Sequence, residues 1–255
     1  MEKIKCDGII FDMDGVLVDV SSSYRLAIKQ TGEYVLRNKF NMEVTIDPSD
    51  IDEMKKIPGF NNDWDLSYEL IQLLRNRVTR DQFTQKAKLV DSTIQKSKDY
   101  QEVKDIFQTY YLGEQLFFEL YNRPAPFSNP RGLIENEKAL IDENVLETLG
   151  QKYPLGVATS RPRFEALFAL RNLGITPRFI KEEYIVAQED TDFEKPDPAP
   201  LIEAKRRMGV QNPSYIGDSI NDKIAASRAG FFFIGIGLPG DIQVASVNQS
   251  PEVIS

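Results

Sequence analysis

The sequence predicts an α/β fold: a Rossmann-like parallel sheet core with an inserted all-α domain near its start. Three observations carry that expectation. A short apolar run, Asp7-Gly8-Ile9-Ile10-Phe11, leads into acidic residues close to the N-terminus. A long stretch with helical periodicity follows it. After residue 140, strand-like runs alternate with helical segments, the grammar of a parallel sheet.

Residues 7–11 have the form of a strand covered on both faces. In the insert, Trp64, Tyr68, Ile71 and Val78 recur on one helix face, and Phe83, Ala87, Val90 and Ile94 do so in the next segment. Val103, Phe107, Tyr110, Phe117 and Leu120 make a third series, which Gly113 is expected to break. Prolines at 124, 126 and 130 and Gly132 then mark a return linker. A helix over 142–149 precedes a strand over 155–159, and a helix from 162 to 173 starts at Pro162 and stops at Gly174. Tyr184 to Ala187 is a weaker strand. A helix over 198–208 stops at Gly209, Ser214 to Gly217 is a strand, and a helix over 220–229 stops at Gly230. Phe231 to Ile236 reads as the last good strand. The expected domains are 1–18 with 133–255 for the α/β core and 19–132 for the helical insert, a segment of roughly 110 residues.

Composition narrows the function. The chain has 255 residues, 41% of them apolar, enough for a sizeable core. Acidic residues outnumber Lys and Arg by 39 to 31, for a net charge of −8, which argues against sequence-independent binding of nucleic acid. Cys6 is the sole cysteine, so no intrachain disulfide forms. There is no histidine, which excludes a His base, nucleophile or metal ligand. A bound metal must then be held mainly by oxygen, which points to Mg²⁺. The N-terminus does not read as a signal peptide and no apolar run is long enough to span a bilayer, so the expectation is a cytoplasmic protein that does not bind membranes, as a monomer or homodimer.

Four clusters carry chemistry. Asp12 and Asp14, in Phe11-Asp12-Met13-Asp14-Gly15-Val16-Leu17-Val18-Asp19, follow the first strand, and ligands of open α/β sheets sit at the carboxyl ends of strands. One carboxylate can attack phosphorus while the other handles the proton. Thr159, Ser160 and Arg161 end the second core strand, where a hydroxyl and backbone N–H groups can hold phosphate oxygens. Lys195 lies in the stiff loop Glu194-Lys195-Pro196-Asp197-Pro198 and offers a point charge. Asp218 and Asp222 sit where a strand runs into a helix, an arrangement that suits Mg²⁺.

These residues resemble the haloacid dehalogenase-like hydrolase superfamily, and within it the subfamily IA phosphatases with a helical cap, of the phosphoglycolate phosphatase type. The Asp-x-Asp-Gly-Val-Leu-x-Asp stretch is similar to that family's first motif, Thr159 to its second, Lys195 to its third, and Gly217-Asp218-x-x-x-Asp222 to its acidic fourth. The resemblance implies that Asp12 forms an aspartyl-phosphate and that Asp14 protonates the leaving oxygen and then activates water. It also implies Mg²⁺ at the Asp12 carboxylate, the Asp14 carbonyl and Asp218, with Asp222 contributing directly or indirectly. Thr159, the Ser160 amide and Lys195 would neutralise the phosphoryl charge of a small phosphorylated metabolite.

The insert offers weaker candidates for substrate contact. Asn61, Asn62 and Trp64 lie in a polar turn entering a helix, although Asp63 could cap that helix and Trp64 could pack in its core. Arg25, Arg161 and Arg163 could clamp a second anionic group or face solvent. Competing functions are a phosphosugar mutase, against which the missing histidine argues mildly, and dehalogenation or phosphonate hydrolysis, against which Asp14 argues. A non-catalytic binding module on the same scaffold would be expected to lose a motif carboxylate, and none is lost.

Overall fold

The structure is a computed structural model that describes residues 3–60 and 62–255. The chain forms two compact units: residues up to Asp19 together with Lys138–Ser255, and Val20–Glu137.

Strand β1 (Ile9–Phe11) is fully buried, as a central strand of three large apolar residues must be. The chain leaves it through a tight turn in which the Met13 carbonyl accepts from the amides of Leu17 (2.9 Å) and Val18 (2.9 Å). Strand β2 (Val18–Asp19) follows.

The second unit is helical. It holds α1 (Tyr24–Phe40), α2 (Pro48–Lys56), α3 (Asp63–Arg75), α4 (Phe83–Lys86), α5 (Ser92–Gln95) and α6 (Lys98–Tyr121). Val35 and Leu36 of α1, Ile71 of α3, and Val103 and Ile106 of α6 share one core. Helix α3 ends before Val78, which therefore does not extend its apolar face. The single helix expected through Phe83, Ala87, Val90 and Ile94 is two short turns joined by non-helical chain, and of the four only Phe83 is buried. Side chains compete for the backbone there. Glu69 accepts the Lys88 amide at 2.8 Å, and Asp91 caps α5 by accepting from Thr93 and Ile94. Gly113 interrupts α6 as expected, with φ of 76°.

The chain returns through β3 (Lys138–Ala139), antiparallel to β2. Then come α7 (Glu143–Gly150), β4 (Leu155–Ala158), α8 (Arg163–Asn172), β5 (Ile185–Val186), α9 (Ala199–Met208), β6 (Ser214–Gly217), α10 (Ile220–Ala229), β7 (Phe232–Ile236) and β8 (Ile242–Val244). Six strands make one parallel sheet in the order β5-β4-β1-β6-β7-β8. The fold is thus α/β with a parallel Rossmann-like core and a helical insert. Phe231 to Ile236 is not the last strand. Residues Ile242–Val244 add an edge, and only Val244 among them is buried, so they lack the continuous apolar run that marked the others.

Ile10, Leu201, Ala204, Tyr215, Ala225 and Phe233 pack one face of the sheet. Full burial of a large apolar side chain contributes about 1.5–3 kcal/mol. The order places β1 between β4 and β6, so the carboxyl ends of all three lie side by side, and there the chain direction across the sheet reverses. Among the described residues, no helix is long and apolar enough to cross a membrane.

Candidate active site

Asp12 is the first residue past β1, and its amide donates to the Ile216 carbonyl of β6 at 2.8 Å. Its side chain is buried. Lys195 donates from Nζ to Asp12 Oδ1 (2.7 Å), Asp222 Oδ1 (2.7 Å) and Tyr215 Oη (3.0 Å), and its side chain is only 7% exposed. The Tyr215 hydroxyl donates onward to Asp222 Oδ1 at 2.8 Å. Asp222, wholly buried in the first turn of α10, spends its other oxygen on the Ser219 amide and hydroxyl, while its own amide donates to Ser219 Oγ. That reciprocal cap fixes Asp222 at the helix start.

Asp218 lies between β6 and α10 at the solvent edge. One oxygen each from Asp12, Asp218 and Asp222 come within 4.8 Å of one another. Gly15 makes room for Asp218: its φ is +74°, and a Cβ there would stand 1.9 Å from Asp218 Oδ2.

The electrostatics follow from this crowding. Burial, and then the charge of Asp222, push the Asp12 carboxyl well above the ordinary carboxylate range despite Lys195. Burial and Asp222 likewise push Asp218 up to about 6. Burial disfavours the Lys195 charge, but Asp12 and Asp222 outweigh it and hold the ammonium protonated. Burial also works against Asp222, yet Lys195 and the hydrogen bonds of Ser219 and Tyr215 keep it ionised. Three carboxyl groups thus crowd together beside one ammonium, an oxygen-only donor set that suits a hard divalent cation. Asp12 and Asp218 fit that role more directly than Asp222, whose two oxygens already accept from Lys195, Tyr215 and Ser219.

Thr159 ends β4. Its amide donates to the Val186 carbonyl (2.9 Å) and its hydroxyl accepts from the Arg161 amide (3.1 Å). Ser160 beside it is exposed. Asp14 is bound by Arg161, which donates to Asp14 Oδ1 from Nε (2.7 Å) and a terminal nitrogen (2.6 Å).

A model of the family described as haloacid dehalogenase-like hydrolase matches residues 6–230. The chain belongs to that family. Two curated relatives of this hydrolase share similar identity with it. A phosphoglycolate phosphatase of Shigella sonnei is 26% identical over 255 residues, covering 97% of this chain and 87% of that protein. An imidazoleglycerol-phosphate dehydratase of Phytophthora nicotianae is 28% identical over 250 residues, and the chain spans about half its length (46%). Among solved structures, phosphatase Tt82 from Thermococcus thioreducens superposes with a TM-score of 0.73 at 26% identity, covering 98% of this chain and 99% of that one. A β-phosphoglucomutase from Clostridium difficile shares the fold, with a TM-score of 0.61 at 19% identity over 96% and 92% of the two chains.

Each of the three arginines singled out in the sequence has a carboxylate partner within the protein. Arg161 is 3% exposed and donates to Asp14. Arg163 is bound to Asp190 and to the Ile185 carbonyl. In the helical unit, Arg25 pairs with Asp52 at the surface. Asn62, not Asp63, caps α3, accepting from the amides of Trp64 (2.9 Å) and Asp65 (3.2 Å). Trp64 is half-buried rather than core, with Lys104 Nζ 3.5 Å from its ring centre. Asn61 lies outside the described residues.

Sequence reasoning passed over Tyr215 and Ser219, which hold the Lys195–Asp222 pair. A signal for Tyr215 exists: a tyrosine inside a buried strand needs a polar partner for its hydroxyl, and the acidic residues just beyond supply one.

Proposed function

We propose that this hydrolase cleaves small-molecule phosphate monoesters through an aspartyl-phosphate on Asp12, with Mg²⁺ as cofactor. The observation that carries this reading is the buried Lys195 ammonium joining Asp12 to Asp222 beside Asp218. A cation aimed at a nucleophilic carboxylate, within an acidic set that calls for a second cation, is what transfer of an anionic phosphoryl group requires. The phosphoglycolate phosphatase relative supports the same chemistry.

In this reading an Asp12 oxygen attacks phosphorus, the ester P–O bond breaks, and Asp14 gives its proton to the departing alkoxide. Asp14 then takes a proton from water as the water oxygen attacks phosphorus and the bond to Asp12 breaks, which restores both carboxyl groups. Lys195, the Thr159 hydroxyl and the Ser160 amide hold the phosphoryl oxygens. Asp12 and Asp218, with the Asp14 carbonyl and with Asp222 behind them, would hold Mg²⁺. When bound, that ion would neutralise phosphoryl charge and keep Asp12 ionised against its burial. In this reading the sheet unit, up to Asp19 and from Lys138 to Ser255, does the chemistry.

Phosphate release from a panel tests this. The panel holds an aryl phosphate, phosphoglycolate, hexose phosphates and imidazoleglycerol phosphate, the last because of the Phytophthora relative. Release from at least one ester is expected, with Mg²⁺ present and EDTA abolishing it. Asp12→Asn is expected to lose at least about a thousandfold in kcat with an unaltered fold. No release from any ester would overturn the reading, and transfer of phosphate within one sugar would replace it with a mutase.

A further inference from the structure

We propose that Tyr215 is the positioning residue for Lys195: its phenolic oxygen takes the third hydrogen of the ammonium and keeps the charge trained on Asp12. This rests on the reading of the site as a phosphoryl-transfer centre.

The direction of each hydrogen bond is forced by chemistry. A lysine ammonium has three hydrogens and no lone pair, so it can only donate. Its three partners are Asp12 Oδ1, Asp222 Oδ1 and Tyr215 Oη. Tyr215 therefore accepts from Lys195 and must turn its own hydrogen elsewhere, which it does toward Asp222 Oδ1 at 2.8 Å. The result is a closed triangle of Lys195, Tyr215 and Asp222 in which every hydrogen is assigned.

The three contacts of Lys195 are not equivalent. Two are charge-assisted bonds of 2.7 Å to carboxylates, and the third is a 3.0 Å bond to a neutral hydroxyl. Charge-assisted bonds are roughly twice as strong as neutral ones. The hydrogen directed at Tyr215 is thus the one held least tightly. It needs a partner all the same, since the site is buried and an unmet hydrogen on a buried ammonium is costly.

Tyr215 is well suited to this task because it cannot move. It is fully buried in β6, which is paired on both sides, and its ring packs against Phe233 with ring centres 6.2 Å apart. Lys195 reaches the same point from a loop at the end of a flexible stem. A rigid strand residue thereby fixes the end of a long side chain.

Tyr215→Phe keeps the ring and removes the contact. We expect kcat to fall about tenfold or more with KM within about twofold, because misaimed charge is felt most where charge develops in the transition state. The melting temperature should fall as well, by about 2 °C or more, because the Lys195 hydrogen is left unmet. An unchanged kcat, or a rise in KM alone, would overturn the proposal. A second readout does not depend on turnover. Nitrogen-15 NMR of the wild-type protein should show a Lys195 ammonium whose hydrogens exchange slowly with water and give an NOE to the Tyr215 ring, and Tyr215→Phe should speed that exchange. Absence of the NOE, or unchanged exchange in the variant, would overturn the hydrogen bond itself even if the variant folds poorly. A wild-type protein that shows the NOE but cleaves no ester would refute the phosphatase reading and the catalytic half of this proposal together.

Discussion

Arg161 binds Asp14 through two nitrogens converging on one oxygen, at 2.7 and 2.6 Å, with the arginine side chain 2% exposed and the aspartate 35%. The buried partner is the cation, so Arg161 anchors and Asp14 presents its carboxyl to solvent. This arrangement suits an arginine that fixes the Asp14 carboxyl in place. Arg161→Lys, which cannot reproduce the fork, is expected to lower kcat by about tenfold or more. KM should change by the same factor for an aryl phosphate and for phosphoglycolate. Kinetics on the two substrates check this, and a KM rise confined to phosphoglycolate would return Arg161 to substrate recognition.

Gly15 and Asp218 are mutually exclusive with a methyl group. Gly15→Ala adds a Cβ where Asp218 Oδ2 lies and places alanine at positive φ. The strain should cost more than about 1 kcal/mol. The displaced carboxylate should raise the Mg²⁺ concentration needed for half-maximal activity. Metal titration with urea unfolding measures both effects, and wild-type values in both would contradict the account.

Asp190 gathers α8, α9 and the end of β5. It accepts from the Ala187 amide at 2.7 Å, from Arg163 and from Arg207 at 3.0 Å. Burial alone would raise its carboxyl, but those donors together hold it below the ordinary range. A depressed native pKa contributes stability above the unfolded value, near 3.9, and loses it as pH falls through the native value. Asp190→Asn should therefore cost about 1–3 kcal/mol at pH 7, and the gap to wild type should shrink below about pH 4. Urea midpoints from pH 3 to 7 test this, and a gap independent of pH would refute the linkage.

Glu69 behaves in the opposite sense. It is 6% exposed and accepts the Lys88 amide, and burial pushes its carboxyl upward. A raised native pKa means stability that is fully present below the unfolded value and lost as pH rises through the native one. Glu69→Gln keeps the acceptor oxygen and removes the buried charge. The expected gain at pH 7 is on the order of 0.5 kcal/mol, a rise of about 1–2 °C in Tm. It should vanish near pH 4, and thermal scans at both values decide the point.

The signals visible in the chain alone were local. Strands β4, β6 and β7 and the helices α9 and α10 were legible because apolar runs alternate with helical patterns that stop at Gly209 and Gly230, both observed at positive φ. The acidic pairs, Thr159 and Lys195 could be named as candidates because each closes a strand or sits in a proline-held loop. Where side chains compete with the backbone, as Glu69 and Asp91 do around α4 and α5, periodicity misled, and β8 was too short and too exposed to register.

Partnership was invisible at that level. Lys195 and Asp12 are 183 positions apart, and Arg161 and Asp14 are 147 apart. Residue identities announced a chemistry of carboxylates, an ammonium and a hydroxyl, and the absence of histidine removed its rivals. Which cation serves which carboxylate depends on β1 lying between β4 and β6, a pairing summed over contacts from the whole chain. That order made Arg161 the partner of Asp14 and Tyr215 the third partner of Lys195. Local patterning sets elements and their ends, whereas neighbours across a parallel sheet emerge only when distant segments are packed together.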